Sequence, residues 1–439
     1  MTDSEPRQDT DAVSGGDPSA AAPEDRESQK SVSRRGLFAG AFGGLAVGAV
    51  AGVGGAAAAG ALSRAPGGDG NASLQYPFYG GGHQAGVRTE PQRYSMMMTF
   101  DITASTVADV QVLLARWSAA IAQLMQGKTI GQVAPSRTDG IAADTGEALD
   151  LGPSGLTVTL GLGPGVFDER FGLAHRRPAL LKPLPALPSD QLEEATTGGD
   201  LSLQACADDP QVAYHAIRDL ARMARDTVST RWTVMGFGRA SAGPDQATPR
   251  NLMGFKDGTR NVTSDEDYAK HVWVSDTDQK WMDGGTYQVV RKIQMDLEIW
   301  DASAIGAQQD VFGRDKLKGA PLGGTSEHET PDFAARTKDG DTRIPKTAHI
   351  ALAAHENNGG IKILRRPYNY TDGINQFGQL DAGLLFIAYM NDPNSFITLQ
   401  RKLGSVDRLN EYISHIGSGI FAVPRAPKVG SYIGADLFS

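Results

Sequence analysis

Tyr94-Ser-Met-Met-Met-Thr-Phe-Asp-Ile102 is an apolar run of strand length, and it reads as a buried β-strand. Residues 107–125 follow with apolar side chains at helical spacing. Leu156-Thr-Val-Thr-Leu-Gly-Leu162 alternates and is rich in β-branched residues, which favours a strand. Residues 200–205 read as a short strand, and residues 210–228 as a helix with Pro210 in its first turn, where a missing N–H costs nothing. Residues 231–237 (RWTVMGF) close the series as a strand. The order β-α-β-β-α-β is the ferredoxin-like pattern.

The second half repeats this order without a visible sequence repeat. Strands are expected at 286–295, 360–364, 384–391 and 420–423, with helices at 297–312 and 393–403. The fold class is therefore α+β: two ferredoxin-like modules of antiparallel sheet and helices. Their expected bounds are 76–245 and 246–439. The stretch 310–346 is polar and rich in Gly and Pro, which predicts a long loop of the kind that often serves a site.

A chain of 439 residues with 40% hydrophobic and 21% charged residues has enough apolar surface for a sizeable core. Its net charge of -9 excludes nucleic acid as the expected partner, because phosphate binding needs clustered Lys and Arg. The single cysteine, Cys206, excludes an internal disulfide, an iron–sulfur cluster and a cysteine-rich zinc site. A small buried side chain is its expected role.

Residues 1–30 are polar and acidic, a composition that cannot pack a core. Ser33-Arg34-Arg35-Gly36-Leu37-Phe38 then precedes an uncharged Gly/Ala/Val stretch reaching about Leu62. Paired arginines before a mildly apolar segment resemble a twin-arginine export signal. Residues 1–62 are expected to be that signal and to be cleaved, with 63–75 as a Gly-containing linker. The stretch is also long enough for a membrane anchor, although its glycine content argues against one. Export by the twin-arginine translocation machinery to the envelope, periplasm or exterior follows, and that route suits a protein loaded with cofactor beforehand.

Gly254-Phe-Lys-Asp-Gly-Thr-Arg-Asn261 places Asp257 in a loop between glycines that permit a tight turn. About ninety residues on come Thr347-Ala-His-Ile-Ala-Leu-Ala353 and Ile363-Leu-Arg-Arg-Pro-Tyr368. A carboxylate, a histidine and an arginine are the components of a haem peroxidase site. Among eight histidines, His349 has the most apolar surroundings, as either an iron ligand or a hydrogen-bonded core histidine; His415 is the rival ligand. Asp257 is either a turn residue or a general acid/base for peroxide. Arg365 and Arg366 are adjacent on a strand and point to opposite faces, so only one can enter a pocket. An iron-bound histidine commonly donates its second N–H to an acceptor, for which Glu411 is the candidate, with a surface glutamate as the alternative.

These segments together resemble the dye-decolourising peroxidases, in particular the exported branch related to bacterial deferrochelatases. Tyr76-Pro-Phe-Tyr-Gly80 with His83-Gln-Ala-Gly86 is similar to the start of the family domain, and Leu156 to Asp168 to an internal strand. Gly254 to Thr259 matches the family's Gly-x-x-Asp-Gly motif, Leu364-Arg-Arg-Pro-Tyr368 its arginine segment, and Leu380 to Tyr389 the strand at the haem edge. Gly417 to Pro424 is similar to the closing segment. The resemblance implies two ferredoxin-like modules in one dimeric-barrel-like unit, with one haem b per chain in the C-terminal module. It implies His349 as the proximal iron ligand, Asp257 as the distal acid and Arg365 as the distal arginine. Gly258, Phe386 and Glu411 are the further expected haem neighbours. The implied activity is oxidation of dyes, phenols or similar small reductants by hydrogen peroxide through a ferryl intermediate. The alternatives are deferrochelatase-like release of iron from haem and a non-catalytic haem carrier, and a homo-oligomer is left open. Bulky donors would be oxidised through surface aromatics, for which Trp281, Trp300 and Tyr389 are the candidates, with core filler as the alternative.

Overall fold

The computed structural model describes residues 73–238 and 247–439. The expected export signal, almost all of the linker and the expected boundary at 245/246 lie outside them. Among the described residues no helix is long and apolar enough to cross a membrane. Residues 67–439 form one compact unit.

The N-terminal half runs β1 (Tyr94–Ile102), α1 (Val107–Leu124), β2 (Thr157–Leu162), β3 (Leu201–Ala207), α2 (Pro210–Met223) and β4 (Val228–Gly236). The expected order is thus present, with the helices capped by side chains. Thr106 accepts from the Asp109 N–H at the start of α1, and Asp209 accepts from Gln211 and Val212 ahead of Pro210. The C-terminal half runs α3 (Asp265–His271), β5 (Thr286–Met295), α4 (Leu297–Asp301), α5 (Ile305–Phe312), α6 (His349–Ala353), β6 (Leu364–Arg365), β7 (Tyr368–Ile374), β8 (Leu380–Met390), α7 (Pro393–Val406) and β9 (Ile413–Val423).

Two differences from the expected elements have clear causes. The strand expected at 360–364 is reduced to Leu364–Arg365, and the longer pairing is β7, whose Tyr-Asn-Tyr-Thr-Asp-Gly-Ile contains residues poor in β-propensity. β9 begins at Ile413, well before 420, because its glycines mark close approach rather than a loop. A Cβ at Gly417 would lie 2.7 Å from the Thr196 carbonyl oxygen.

All strands join one sheet in the order β4-β1-β3-β2-β9-β5-β8-β6, with β7 also beside β8. Each half therefore carries the ferredoxin-like arrangement in which the first strand lies between the fourth and the third. The halves meet where Leu162 of β2 pairs with Ala422 of β9. At the far edges Phe237 and Asn369 exchange two backbone hydrogen bonds of 2.8 Å. This bridge links the two edges of the sheet, as in a dimeric-barrel-like unit.

Three residues expected at the surface are inside. Trp281, Trp300 and Tyr389 are 3%, 0% and 0% exposed. Tyr389 sits on β8, where its hydroxyl donates to Gln204 Oε1 at 2.6 Å and stands 2.9 Å from Gln288 Nε2. Trp281 donates to the Arg176 carbonyl, and Trp300 to that of Met253. Their indole and phenol groups have been desolvated and need those partners, which fixes them as core residues rather than surface contacts. Cys206 is buried as expected, although its thiol lies among polar groups, with Gln204 Nε2 at 3.2 Å.

Candidate active site

One large cavity opens in the C-terminal half, between β5, β8 and β9 on one side and α6, α7 and the Asp257 loop on the other. Asp257, Gly258, His349, Arg365 and Phe386 all line it. Glu411 does not: its side chain is 61% exposed and its carboxylate is 4.0 Å from Arg408.

His349 is the first residue of α6. Its Nδ1 lies 2.7 Å from Asp407 Oδ2. Asp407 joins the end of α7 to the next turn, and its other oxygen accepts the Leu409 N–H at 2.9 Å. Both carboxylate oxygens are thereby fixed, in a side chain 3% exposed. Burial depresses the His349 pKa, but the charge and hydrogen bond of Asp407 outweigh it and raise the net value, with a smaller contribution from Asp257 opposed by Arg365. The acceptor expected at Glu411 is therefore Asp407, one helical turn earlier.

The opposing polar pair is Asp257 and Arg365. Arg365 Nη1 is 3.3 Å from Asp257 Oδ1, and its Nη2 donates to the Thr259 carbonyl at 3.0 Å. Asn261 holds the arginine's backbone from both sides, accepting from Arg365 N at 2.9 Å and donating to Arg365 O at 2.7 Å. The loop needs its glycines, since Gly254 and Gly258 have φ of +84° and +128°. Glu327, from the long loop, clamps the residues around Asp257: one oxygen pairs with Lys256 and the other accepts from Thr259 Oγ1 at 2.9 Å. Arg366 points the opposite way. It is 2% exposed and donates to the Thr89 and Glu90 carbonyls and to Gln92 Oε1. The strand alternation therefore selects Arg365 for the cavity.

Sequence reasoning also missed Arg314, which lies in the loop expected to be functional. It lines the cavity and is buried, and its hydrogen bonds go to the Gly319 and Glu327 carbonyls. Burial and the nearby Arg365 push its pKa down to about 10, against the opposing charge of Glu327. His415, the rival ligand, also lines the cavity, but its Nε2 is 2.9 Å from Gln400 Nε2 and it lacks a carboxylate partner like Asp407.

These residues fit a haem. One imidazole has its Nδ1 engaged by a carboxylate, which leaves Nε2 for a metal. The walls near it are apolar, with Met253, Ile293, Phe312, Leu384 and Phe386. Among the described residues Arg314 is a buried cation whose hydrogen bonds go to carbonyls, which suits an acidic side arm, and His415 Nδ1 is buried without a hydrogen-bond partner.

Comparison with known proteins agrees. Residues 84–238 match the N-terminal domain of Dyp-type peroxidases and residues 248–428 the C-terminal domain. The chain is 40% identical over 376 residues to a deferrochelatase of Escherichia coli strain K12, covering 82% of this chain and 86% of that protein. Ferric DtpA from Streptomyces lividans is similar with a TM-score of 0.77 at 39% identity, covering 84% of this chain and 98% of the other. A DyP-type peroxidase from Streptomyces coelicolor gives 0.77 at 40% identity, covering 83% and 96%.

Proposed function

The chain belongs to the Dyp-type peroxidase family, a family of haem peroxidases, and from that premise we propose that His349 holds the haem iron while Asp257 and Arg365 carry out the peroxide chemistry. The observation that carries this reading is the Asp257–Arg365 contact of 3.3 Å in the cavity that His349 also enters.

When bound, haem supplies the redox capacity that accepts oxidising equivalents from hydrogen peroxide and delivers them to reductants. The protein's part is positional and electrostatic. Asp407 keeps the His349 ring oriented with its proton on Nδ1 and makes Nε2 more basic. Asp257 takes a proton from one peroxide oxygen and gives it to the other, so that the departing group leaves as water. Arg365 stabilises negative charge on that oxygen while the O–O bond breaks. Asn261 and the Thr259 carbonyl keep the guanidinium beside the carboxylate throughout. The substrates are dyes, phenols and similar small donors. Trp281, Trp300 and Tyr389 do not serve as exposed entry points for electrons, since all three are core residues.

The protein is exported through the twin-arginine pathway, on the strength of Arg34-Arg35 ahead of the uncharged stretch. Replacing both arginines by lysine retains the protein in the cytoplasm; unaltered export of that variant contradicts this.

The purified, haem-supplied chain has a Soret band that shifts with stoichiometric peroxide, and Asp257→Asn keeps the band but loses the rapid shift. A colourless protein under haem excess sinks the reading. The deferrochelatase relatives favour one second reading, release of iron from haem. Free porphyrin appearing after haem feeding would establish it, and recovery of haem intact would exclude it.

A further inference from the structure

A second cluster of ligating side chains lies in the N-terminal half, and none of them lines the haem cavity. Residues 125–156, between α1 and β2, contain no helix or strand. A segment of that length in a compact unit needs something other than a ladder to hold it. It is attached to α2 through Asp144, Thr145 and Glu147, which meet His215 and Asp219.

His215 and Asp219 are four residues apart on α2 and so share a face. Asp144 reaches them from the loop, its carboxylate set by the N–H groups of Ile130 at 2.9 Å and Gly146 at 2.8 Å. All three are buried, with exposures of 0% for Asp144, 5% for His215 and 1% for Asp219. His215 Nδ1 stands 3.4 Å from Thr145 Oγ1 and 3.1 Å from Glu147 Oε2, an oxygen that has no hydrogen-bond partner. Nε2, on the other side of the ring, stands 3.6 Å from both Asp144 Oδ2 and Asp219 Oδ2, beyond hydrogen-bond reach.

Three ligating atoms therefore converge, all within 4.8 Å of one another. Asp219 Oδ1 has no hydrogen-bond partner, and its nearest cation is Arg222 Nη1 at 3.5 Å. A fully desolvated carboxylate facing a second one needs a cation. A tetrahedral zinc with bonds of about 2.1 Å has edges of about 3.4 Å, close to the Nε2–carboxylate spacing. An imidazole with two carboxylates suits zinc, whereas calcium and magnesium favour oxygen-only shells of six or more ligands.

We propose that His215 Nε2, Asp144 Oδ2 and Asp219 Oδ2 bind a zinc ion that staples residues 125–156 to α2, with the remaining position open to water. The site is structural and separate from the haem.

The test uses the full, haem-loaded chain dialysed against zinc and then against metal-free buffer, with metals counted by plasma emission. The wild type retains about one zinc per chain beside its iron, and His215→Ala and Asp219→Asn retain none while keeping the Soret band. The thermal midpoint of the wild type falls on adding EDTA and returns with zinc, and that of the variants does not respond. Zinc retention far below one per chain in the wild type, or equal retention in wild type and variants, overturns the proposal. Should both variants fail to fold, the wild-type chelation arm decides: a midpoint indifferent to EDTA and zinc overturns it as well.

Discussion

Nδ1 of His349 lies 2.7 Å from Oδ2 of Asp407, and this contact ties the start of α6 to the end of α7. An anionic acceptor at that nitrogen strengthens electron donation from the opposite one. Asp407→Asn removes the charge while keeping the size. Its Fe(III)/Fe(II) potential rises in a spectroelectrochemical titration, and peroxide turnover falls by roughly 10- to 100-fold. Glu411→Gln, on the exposed side of the same turn, changes neither quantity. Equal effects of the two variants would remove Asp407 from its assigned role.

On the proposed reading, Asp257 and Arg365 contribute differently to one step. Asp257→Asn loses proton transfer, and the rate of the peroxide-induced Soret change falls by roughly 10²- to 10⁴-fold. Arg365→Leu loses charge stabilisation, with a fall of roughly 10²- to 10³-fold. Because the two groups act together, the double variant falls by much less than the product of the single losses. Stopped-flow spectra of all three proteins at saturating haem measure this; multiplicative losses would show that the pair does not act as a unit.

Most of the architecture was legible in the sequence because each half is built from strongly patterned segments. Tyr94 to Ile102 and Thr286 to Met295 were expected as strands with the bounds they have. β7 was not, since Asn369, Asp372 and Gly373 disfavour a strand in isolation and the pairing comes from its neighbour β8. Asp257, His349 and Arg365 line one cavity, and each was singled out where motif and residue type coincide. Asp407 and Glu411 are four residues apart and chemically alike, so only the path of the chain after α7 distinguishes them. The aromatic candidates failed for another reason. Sequence identifies Trp281, Trp300 and Tyr389 as large side chains but gives no direction to them, and in a barrel-like unit with packed layers most such residues face inward.

Arg366 separates structure from chemistry at adjacent positions. Its guanidinium is buried and hydrogen-bonded to Thr89, Glu90 and Gln92, which anchors the segment before β1 against β6. Arg366→Leu removes these bonds and leaves the buried Gln92 Oε1 unpaired, and lowers stability by about 1–3 kcal/mol in urea titration. Arg365→Leu, whose side chain is 27% exposed in the cavity, stays within about 1 kcal/mol of the wild type despite its loss of activity. A reversal of the two stability effects would mean that the strand presents the other arginine to the cavity.

His415 predicts an acid limit on stability. Burial, reinforced by the Arg291 guanidinium, pushes its pKa down to about 3. In the unfolded chain the same imidazole takes a proton near its ordinary value of about 6.5. Between these values the unfolded state binds more protons than the folded state, so stability is full above about pH 6.5 and declines as pH falls toward 3. By pH 4 this one group costs about 3 kcal/mol relative to neutral pH. His415→Gln does not titrate there. The stability difference between wild type and variant, from urea midpoints at a series of pH values, therefore moves in favour of the variant by that amount between pH 7.5 and pH 4. A difference that stays constant over this range would show that the His415 ring is protonated in the folded chain, with a partner for its Nδ1.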